Sequence, residues 1–416
     1  MSQNTGTLRT RLDQMEISDV HTHLGGGGLR QARSLADIIS YHWLQWELVR
    51  AAGEKPDNSP VENPTHYIRE ILPYFPAIRN TSNHYAFVGI LRDLYGFEDN
   101  TLTRDNWEAI DDEVRANAND PDWIATVLDR AQIERVLVNW KDGMPDETER
   151  YVPYHYGEPL YAACSIQRFR NIVGEDEEIP KSADELRVAI NRKVRWLREK
   201  QNCEALHVWP RGSWNYTPPA PRSVDNTIQA VRSGRRLQPD KLNELMSFSA
   251  DASAEAAAEY DMVIQLFHGS IDYSGAAQAT YYNPDFLRSL TRHFDDHPDT
   301  RFDLFLGTAV PSHEAANLAR FYPNLSVSGA WWHAFTPSTM TQFFRDRLEI
   351  LPNTTWNAFF SDGYIVEWIY GKLLVTKNRL AHALGGMVDE GFLAIDDAAD
   401  IAERLLYTNA LDIYGI

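Results

Sequence analysis

The sequence predicts an α/β protein of the (β/α)₈-barrel (TIM-barrel) class, with a helical subdomain inserted after strand 1. Short apolar runs alternate with helical patterns along most of the 416 residues. Residues 30–123, between the first run and the second, are mostly helical in pattern and rich in aromatic residues. Alternating strands and helices are typical of parallel sheets. We therefore expect a barrel formed by residues 1–29 and 124–416, and an inserted helical subdomain formed by residues 30–123.

Eight apolar runs are the expected strands of this barrel. Each is short enough for a strand and is followed by a turn or by polar residues. The third run is the weakest of the eight. The runs are residues 16–20, 135–140, 160–166, 204–209, 262–267, 301–306, 325–330 and 356–360.

Several of the expected helices carry start signals. Ser182 followed by Glu185 forms a capping box, and Asn283 before Pro284 marks another helix start. The alternation is interrupted at residues 211–236, where tryptophan, tyrosine and three prolines favour a long loop over the barrel mouth.

The composition limits the kinds of molecule that the protein is expected to bind. The net charge of −19 disfavours nucleic acid and anionic membrane surfaces, because like charges repel. With only Cys164 and Cys203, no disulfide framework can form, and the amino terminus lacks a signal-peptide pattern. We expect a cytoplasmic protein, a homo-oligomer, that acts on a small molecule.

The first and eighth runs end in residues that can bind a metal. His21 and His23 are two residues apart, so on a strand both point to the same side, as does Asp19, which could orient a histidine. Asp362 follows the eighth run, although an Asp before a helix is also a common cap. Strands one and eight are neighbours in a closed barrel. The sequence therefore predicts a divalent metal bound by His21, His23 and Asp362.

Further polar and aromatic residues follow other runs. His268 ends the fifth run and is a candidate metal ligand or acid/base group, whereas the fourth run carries His207 and is followed by Arg211. Trp331 and Trp332 end the seventh and could stack on a sugar face, although core packing explains one of them equally well. Nitrogen and oxygen ligands without thiolate suit zinc, manganese, iron or cobalt, and zinc is the expected ion.

Asp19-Val-His-Thr-His-Leu24 and Ser361-Asp362 resemble the amidohydrolase superfamily. Within it the chain looks most similar to the uronate isomerases, through residues 41–43, 49–53, 72–85, 91–97 and 324–332. The resemblance implies one divalent ion and aldose–ketose isomerisation of a hexuronate. It also implies that Asp362 or a metal-bound hydroxide is the base, assisted by His42 or His268.

The chain departs from the uronate isomerase pattern where the substrate carboxylate would be held. Gly363-Tyr364 stands where the family has Ser-Arg, and Tyr41-His42-Trp43 stands where it has Asp-His-Tyr. The family's Arg-Pro-Asp after strand three is also missing, although Arg168 and Arg170 lie nearby. We expect Arg168 or Arg211 to bind the carboxylate, because arginine is its natural bidentate partner.

Three other functions remain open on sequence grounds. A hydrolase of the same superfamily would use a metal-bound water on a lactone, ester or amide. A decarboxylase would use the same metal ligands. A sugar-binding protein without activity is disfavoured by the intact ligand set.

Overall fold

The computed structural model describes residues 2–25, 30–139, 149–210, 214–272, 278–280 and 282–416. Arg211 lies outside this part of the chain, and the side chain of His42 is likewise not described. Among the described residues, no helix has the length and apolar character needed to cross a membrane.

The strands, in chain order, are β1 (Ile17–Thr22), β2 (Ile133–Val138), β3 (Tyr151–Tyr156), β4 (Ala205–Val208), β5 (Val263–His268), β6 (Ser270–Asp272), β7 (Gln278–Thr280), β8 (Arg301–Leu306) and β9 (Leu325–Ser328). The α-helices are α1 (Gln3–Leu12), α2 (Leu35–Ile39), α3 (His42–Ala52), α4 (Pro64–Ile71), α5 (Ser82–Tyr95), α6 (Trp107–Ala118), α7 (Trp123–Ala131), α8 (Glu158–Tyr161), α9 (Ile166–Val173), α10 (Ala183–Gln201), α11 (Pro221–Arg232), α12 (Pro239–Glu259), α13 (Pro284–Asp296), α14 (Ser312–Ala319), α15 (Pro337–Ile350), α16 (Val366–Asp389), α17 (Ile395–Glu403) and α18 (Asn409–Tyr414). Short 3₁₀ segments cover Leu72–Ile78 and Trp332–Ala334, and a π-helix covers Arg404–Thr408.

The chain divides into two compact units. Unit 1 comprises Met1–Gly143, Phe335–Phe344 and Phe359–Leu406. Unit 2 comprises Met144–Ala334, Arg345–Ala358 and Tyr407–Ile416. The division into a barrel and an inserted subdomain at residues 30–123 therefore stays a prediction.

Unit 1 is built around β1 and β2, which pair in parallel. All six residues of β1 are buried, and Ile17 lies opposite Ile133. The long helix α16 packs against α1, α5 and α7. Helices α2 to α7 occupy the chain between β1 and β2, as the helical pattern there predicts.

Unit 2 is built around five parallel strands that follow one another in chain order: β3, β4, β5, β8 and β9. Many of their cross-strand neighbours are buried apolar residues, because both faces of a parallel sheet are covered. Leu206 lies opposite Ile264, which lies opposite Phe302, which in turn lies opposite Leu325. Helices α10, α11 and α12 pack together in this unit, and β6 and β7 form a separate antiparallel pair.

Two expectations in unit 2 are wrong. Residues 160–166 form no strand, because Glu158-Pro159 begins α8 and Ser165 caps α9; the third parallel strand is β3 instead. Residues 211–236 are not simply a loop, since Pro221 at the first turn begins the 12-residue helix α11.

The eighth run is not assigned as a strand, so the described residues contain seven parallel strands rather than eight. The residues that follow this run still form backbone hydrogen bonds with β1 and with the residue after it, in unit 1. The Asp362 N–H donates to the His21 carbonyl at 2.8 Å, and the His23 N–H donates to the Gly363 carbonyl at 2.8 Å. Asp362 has a left-handed φ of 53°, which interrupts a regular ladder.

Candidate metal centre

The three predicted ligands of unit 1 come together at the end of β1. The His21 Nε2 lies 3.4 Å from Asp362 Oδ1, and the His23 Nε2 lies 2.9 Å from the same oxygen. The two imidazole rings are perpendicular, with centroids 5.0 Å apart. All three residues are buried, and their ligand atoms lie within 4.8 Å of one another. The local spacing of two residues on a strand, together with the turn at Asp362, produces this convergence.

Backbone hydrogen bonds fix the ligands before any ion binds. Besides the two bonds between β1 and residues 362–363, Asp19 Oδ1 accepts from the Ser361 N–H at 2.8 Å and the His21 N–H at 3.3 Å. Asp19 thus holds His21 through its main chain, whereas the sequence suggested contact with an imidazole. Gly363 is required by packing, because a Cβ there would lie 2.6 Å from Ile369 Cγ1.

The charge state of the centre suits a cation. Burial alone would raise the pKa of Asp362, but His23 and His21 outweigh it and hold that pKa well below its usual range. Asp362 is therefore ionised. Burial raises the pKa of Asp19 to about 7. Burial also lowers the pKa of Lys372 to about 7, although the carboxylates of Asp362 and Asp19 raise it.

The donor set fits a divalent transition metal. Two imidazole nitrogens and one carboxylate oxygen are the combination that zinc and its neighbours bind in catalytic centres, with a position left for water or substrate. A buried ionised carboxylate needs a compensating charge, which such an ion supplies. The structure therefore contains a candidate metal site at His21, His23 and Asp362.

Sequence analysis missed the aromatic residues around these ligands. Tyr364 stacks on His23, with ring centroids 4.4 Å apart and planes 15° apart. The Tyr364 N–H donates to the Tyr41 hydroxyl at 3.0 Å, and Tyr41 stacks on Trp368. The sequence feature that could have revealed them is Gly363-Tyr364, which differs from the Ser-Arg of the uronate isomerases. Tyr364, which stands at the position of that arginine, covers His23.

The predicted histidines of unit 2 are both buried. His268 stacks on Phe286 with centroids 3.9 Å apart, and burial lowers its pKa to about 4, which keeps the imidazole neutral at pH 7. The His207 Nε2 lies 3.3 Å from Glu158 Oε1, and its ring meets Phe267 edge-on at 4.5 Å. Their roles as ligand, acid/base group or substrate contact stay predictions.

The paired tryptophans are also buried. Trp331 makes edge contacts with Trp209 at 5.4 Å and Phe267 at 5.1 Å, so much of its surface serves packing. Trp332 is 5% exposed. Contact of either ring with a sugar stays a prediction.

The predicted arginines of unit 2 are engaged with other groups. Arg168 Nη1 donates to the carbonyls of Glu158 at 3.0 Å and Ala162 at 2.8 Å. Arg170 Nη1 donates to the Glu175 carbonyl and lies 3.4 Å from its carboxylate. Binding of a substrate carboxylate by Arg168 stays a prediction.

Similarity in sequence to known proteins is limited to part of the chain. No protein-family profile matches the chain. A uronate isomerase of Thermotoga sp. (strain RQ2) is 23% identical over 209 residues, which cover 46% of each protein. The aligned part thus spans less than half the length of the curated relative.

Solved structures match the chain over nearly its whole length. A uronate isomerase from Thermotoga maritima superposes with a TM-score of 0.85 at 15% identity, covering 100% of this chain and 98% of that one. A glucuronate isomerase from Caulobacter crescentus gives 0.81 at 16% identity, covering 99% and 94%. A Lactobacillus casei protein, provisionally named a metal-dependent hydrolase, gives 0.62 at 14% identity, covering 98% and 97%.

These likenesses define a class first: the chain has the fold of the solved uronate isomerases. Part of its sequence is also similar to a curated uronate isomerase, so the chain resembles the uronate isomerases, at low identity, in both sequence and fold.

Proposed function

We propose that the chain is a divalent-metal-dependent, uronate isomerase-like enzyme that interconverts the aldose and ketose forms of a hexuronate or a related sugar acid. The observation that carries this proposal is the convergence of His21 and His23 on one oxygen of Asp362. The likeness in fold and sequence to uronate isomerases supports it.

In this proposal His21, His23 and Asp362 hold one ion, with zinc favoured over manganese, iron and cobalt, and His268 is a further ligand or an acid/base group. A bound ion would polarise the carbonyl and hydroxyl oxygens of the substrate. Asp362 would accept the proton that leaves C2, and His42 or His268 would assist its return at C1. A second proton would move from the C2 hydroxyl to the C1 oxygen, so the reaction gains and loses no atoms.

In this proposal the substrate-binding residues are those predicted from the sequence. His207, Trp331 and Trp332 would line the pocket, and Arg211 or Arg168 would bind the carboxylate. The same proposal includes a closed eight-stranded barrel with residues 356–360 as the last strand. It also includes the inserted subdomain, a homo-oligomeric state and a cytoplasmic location.

A metal-dependent hydrolase acting on a lactone, ester or amide is the second candidate. Tyr364 favours it, because an aromatic ring covers His23 at the position where the uronate isomerases carry an arginine. In that case the ionised Asp362 would take a proton from water instead of from a sugar carbon.

Metal analysis followed by a proton-exchange assay separates the two functions. When the purified protein is incubated in D₂O with a panel of hexuronates, deuterium should enter the sugar and the ketose product should form. Loss of the ion in His21→Ala should abolish both, whereas the exposed His66→Ala should retain them. Hydrolysis of a lactone or ester panel without deuterium exchange would replace the isomerase proposal, and unchanged metal content in His21→Ala would refute the metal site.

A further inference from the structure

A second cluster of potential ligands lies in unit 2, among α12, α13 and the residue that follows α13. His293 and His297 are four residues apart at the end of α13, so their side chains lie on the same helical face. The His293 Nδ1 and the His297 Nε2 each lie 3.0 Å from Oδ1 of Asp251, which belongs to α12. The three ligand atoms lie within 4.8 Å of one another.

We propose that Asp251, His293 and His297 form a second divalent-metal site, of the zinc class, that ties α12 to α13. The arrangement repeats that of the first site, where two imidazole nitrogens converge on one carboxylate oxygen at 2.9 and 3.4 Å. Zinc bonds of about 2.0–2.2 Å place tetrahedral ligand atoms about 3.3 Å apart. Each of the two imidazole nitrogens, 3.0 Å from Asp251 Oδ1, therefore needs to move away from that oxygen by only a few tenths of an ångström.

Neighbouring hydroxyl groups orient the ligands. The Tyr161 hydroxyl lies 2.9 Å from His293 Nε2, and the Tyr216 hydroxyl donates to Asp251 Oδ2 at 3.2 Å. A histidine that binds a metal through one nitrogen commonly uses the other in such a hydrogen bond, which fixes the ring. These contacts engage Asp251 Oδ2 and His293 Nε2. Asp251 Oδ1 and His293 Nδ1 are therefore the atoms placed to bind the ion.

The charges around the cluster favour a cation. Asp251 supplies a carboxylate, Asp296 adds negative charge near His293, and Arg292 is paired with Asp296 at 2.8 Å.

The cluster is largely buried, and its small exposed fraction belongs to His297 and Asp251. The His293 side chain is fully buried, whereas the side chains of His297 and Asp251 are 9% and 13% exposed. An ion can therefore enter at His297, where water can complete the coordination. Three protein ligands that join two helices suit a stabilising role, because a metal that binds only the folded chain adds its binding free energy to folding.

Metal content of the full-length chain tests the proposal. After saturation with zinc and dialysis, the natural chain should hold about two equivalents, and His297→Ala or Asp251→Asn about one. The exposed His313→Ala is the matched control and should retain both. His297→Ala should also lose the zinc-induced rise in Tm that this site contributes, and its isomerase activity should not change. Equal zinc content in His297→Ala, Asp251→Asn and the natural chain would overturn the proposal.

A cobalt spectrum isolates this site from the first and does not depend on the proposed function. His21→Ala saturated with cobalt should keep the visible absorption of a low-coordinate nitrogen–oxygen site. That absorption should vanish in His21→Ala/His297→Ala and persist in His21→Ala/His313→Ala. If His21→Ala takes up no cobalt although the natural chain does, the second site does not exist.

Discussion

Replacing Gly363 by alanine should weaken metal binding at His21, His23 and Asp362 without removing a ligand. The added Cβ would lie 2.6 Å from Ile369 Cγ1, and carbon atoms in contact are normally about 3.5 Å or more apart. Residue 363 and the Ile369 side chain must therefore separate by about 1 Å. The Gly363 carbonyl accepts the His23 N–H, and Gly363 directly follows Asp362. A shift of residue 363 therefore acts on two of the three ligands.

The size of the effect follows from the packing. Adding a methyl group to a filled core costs about 1–3 kcal/mol. A factor of ten in affinity corresponds to about 1.4 kcal/mol. If the entire cost appears in metal binding, the Kd for zinc should rise about 5- to 150-fold.

Competition with a fluorescent chelator measures this Kd. Gly6→Ala in α1 is the control: its Cβ meets nothing within 4 Å, so zinc affinity should not change and the free energy of unfolding should rise by about 0.5–1 kcal/mol. The double variant Gly363→Ala/Ile369→Ala should recover much of the affinity, because the clashing carbon is gone. An unchanged Kd in Gly363→Ala would show that the ligands do not depend on this close contact.

Three further results are expected. Tyr364→Ala should weaken zinc binding about 2- to 10-fold in the same competition assay, because it removes the ring stacked on His23, whereas Tyr364→Phe should not. The Glu367 carboxylate accepts hydrogen bonds from the Ala32 N–H, the Tyr95 hydroxyl and the Trp123 indole. Glu367→Gln should therefore lower the free energy of unfolding, measured in urea, by about 1–3 kcal/mol. The exposed Glu403→Gln is the control and should leave it unchanged. Burial lowers the pKa of Lys377 from 10.5 to about 8, so the unfolded chain binds more protons between these values and stability should rise with pH across them by about 3 kcal/mol. Urea titrations should show this slope vanish in Lys377→Met and persist in the exposed Lys200→Met.

The sequence predicted the parts of the fold that depend on local pattern. The two-residue spacing of His21 and His23 and the position of Asp362 before a turn and helix are local features, and the structure brings these residues together. The strand β3 was missed because Pro153 and His155 interrupt its apolar pattern. The apolar residues that follow it were assigned to a strand although Glu158-Pro159 is a helix start.

The rest of the site depends on contacts between residues far apart in the chain. Lys372 lies six residues inside α16, and no local pattern shows that its amine is buried near Asp19 and Asp362. In the second cluster, the four-residue spacing of His293 and His297 is visible in the sequence. Their partner Asp251 belongs to another helix, so only the tertiary structure reveals the set.

The left-handed backbone of Asp362 has an evolutionary consequence. Asp, Asn and Gly adopt such a conformation readily, whereas most other residues are strained there by about 1–2 kcal/mol. Glu would keep the charge and a ligand atom but strain the turn, whereas His or Asn would tolerate the turn but lose the charge. Position 362 therefore has no neutral single-step route to another ligand, and divergence toward new substrates must accumulate at neighbours such as Tyr364 while Asp362 persists.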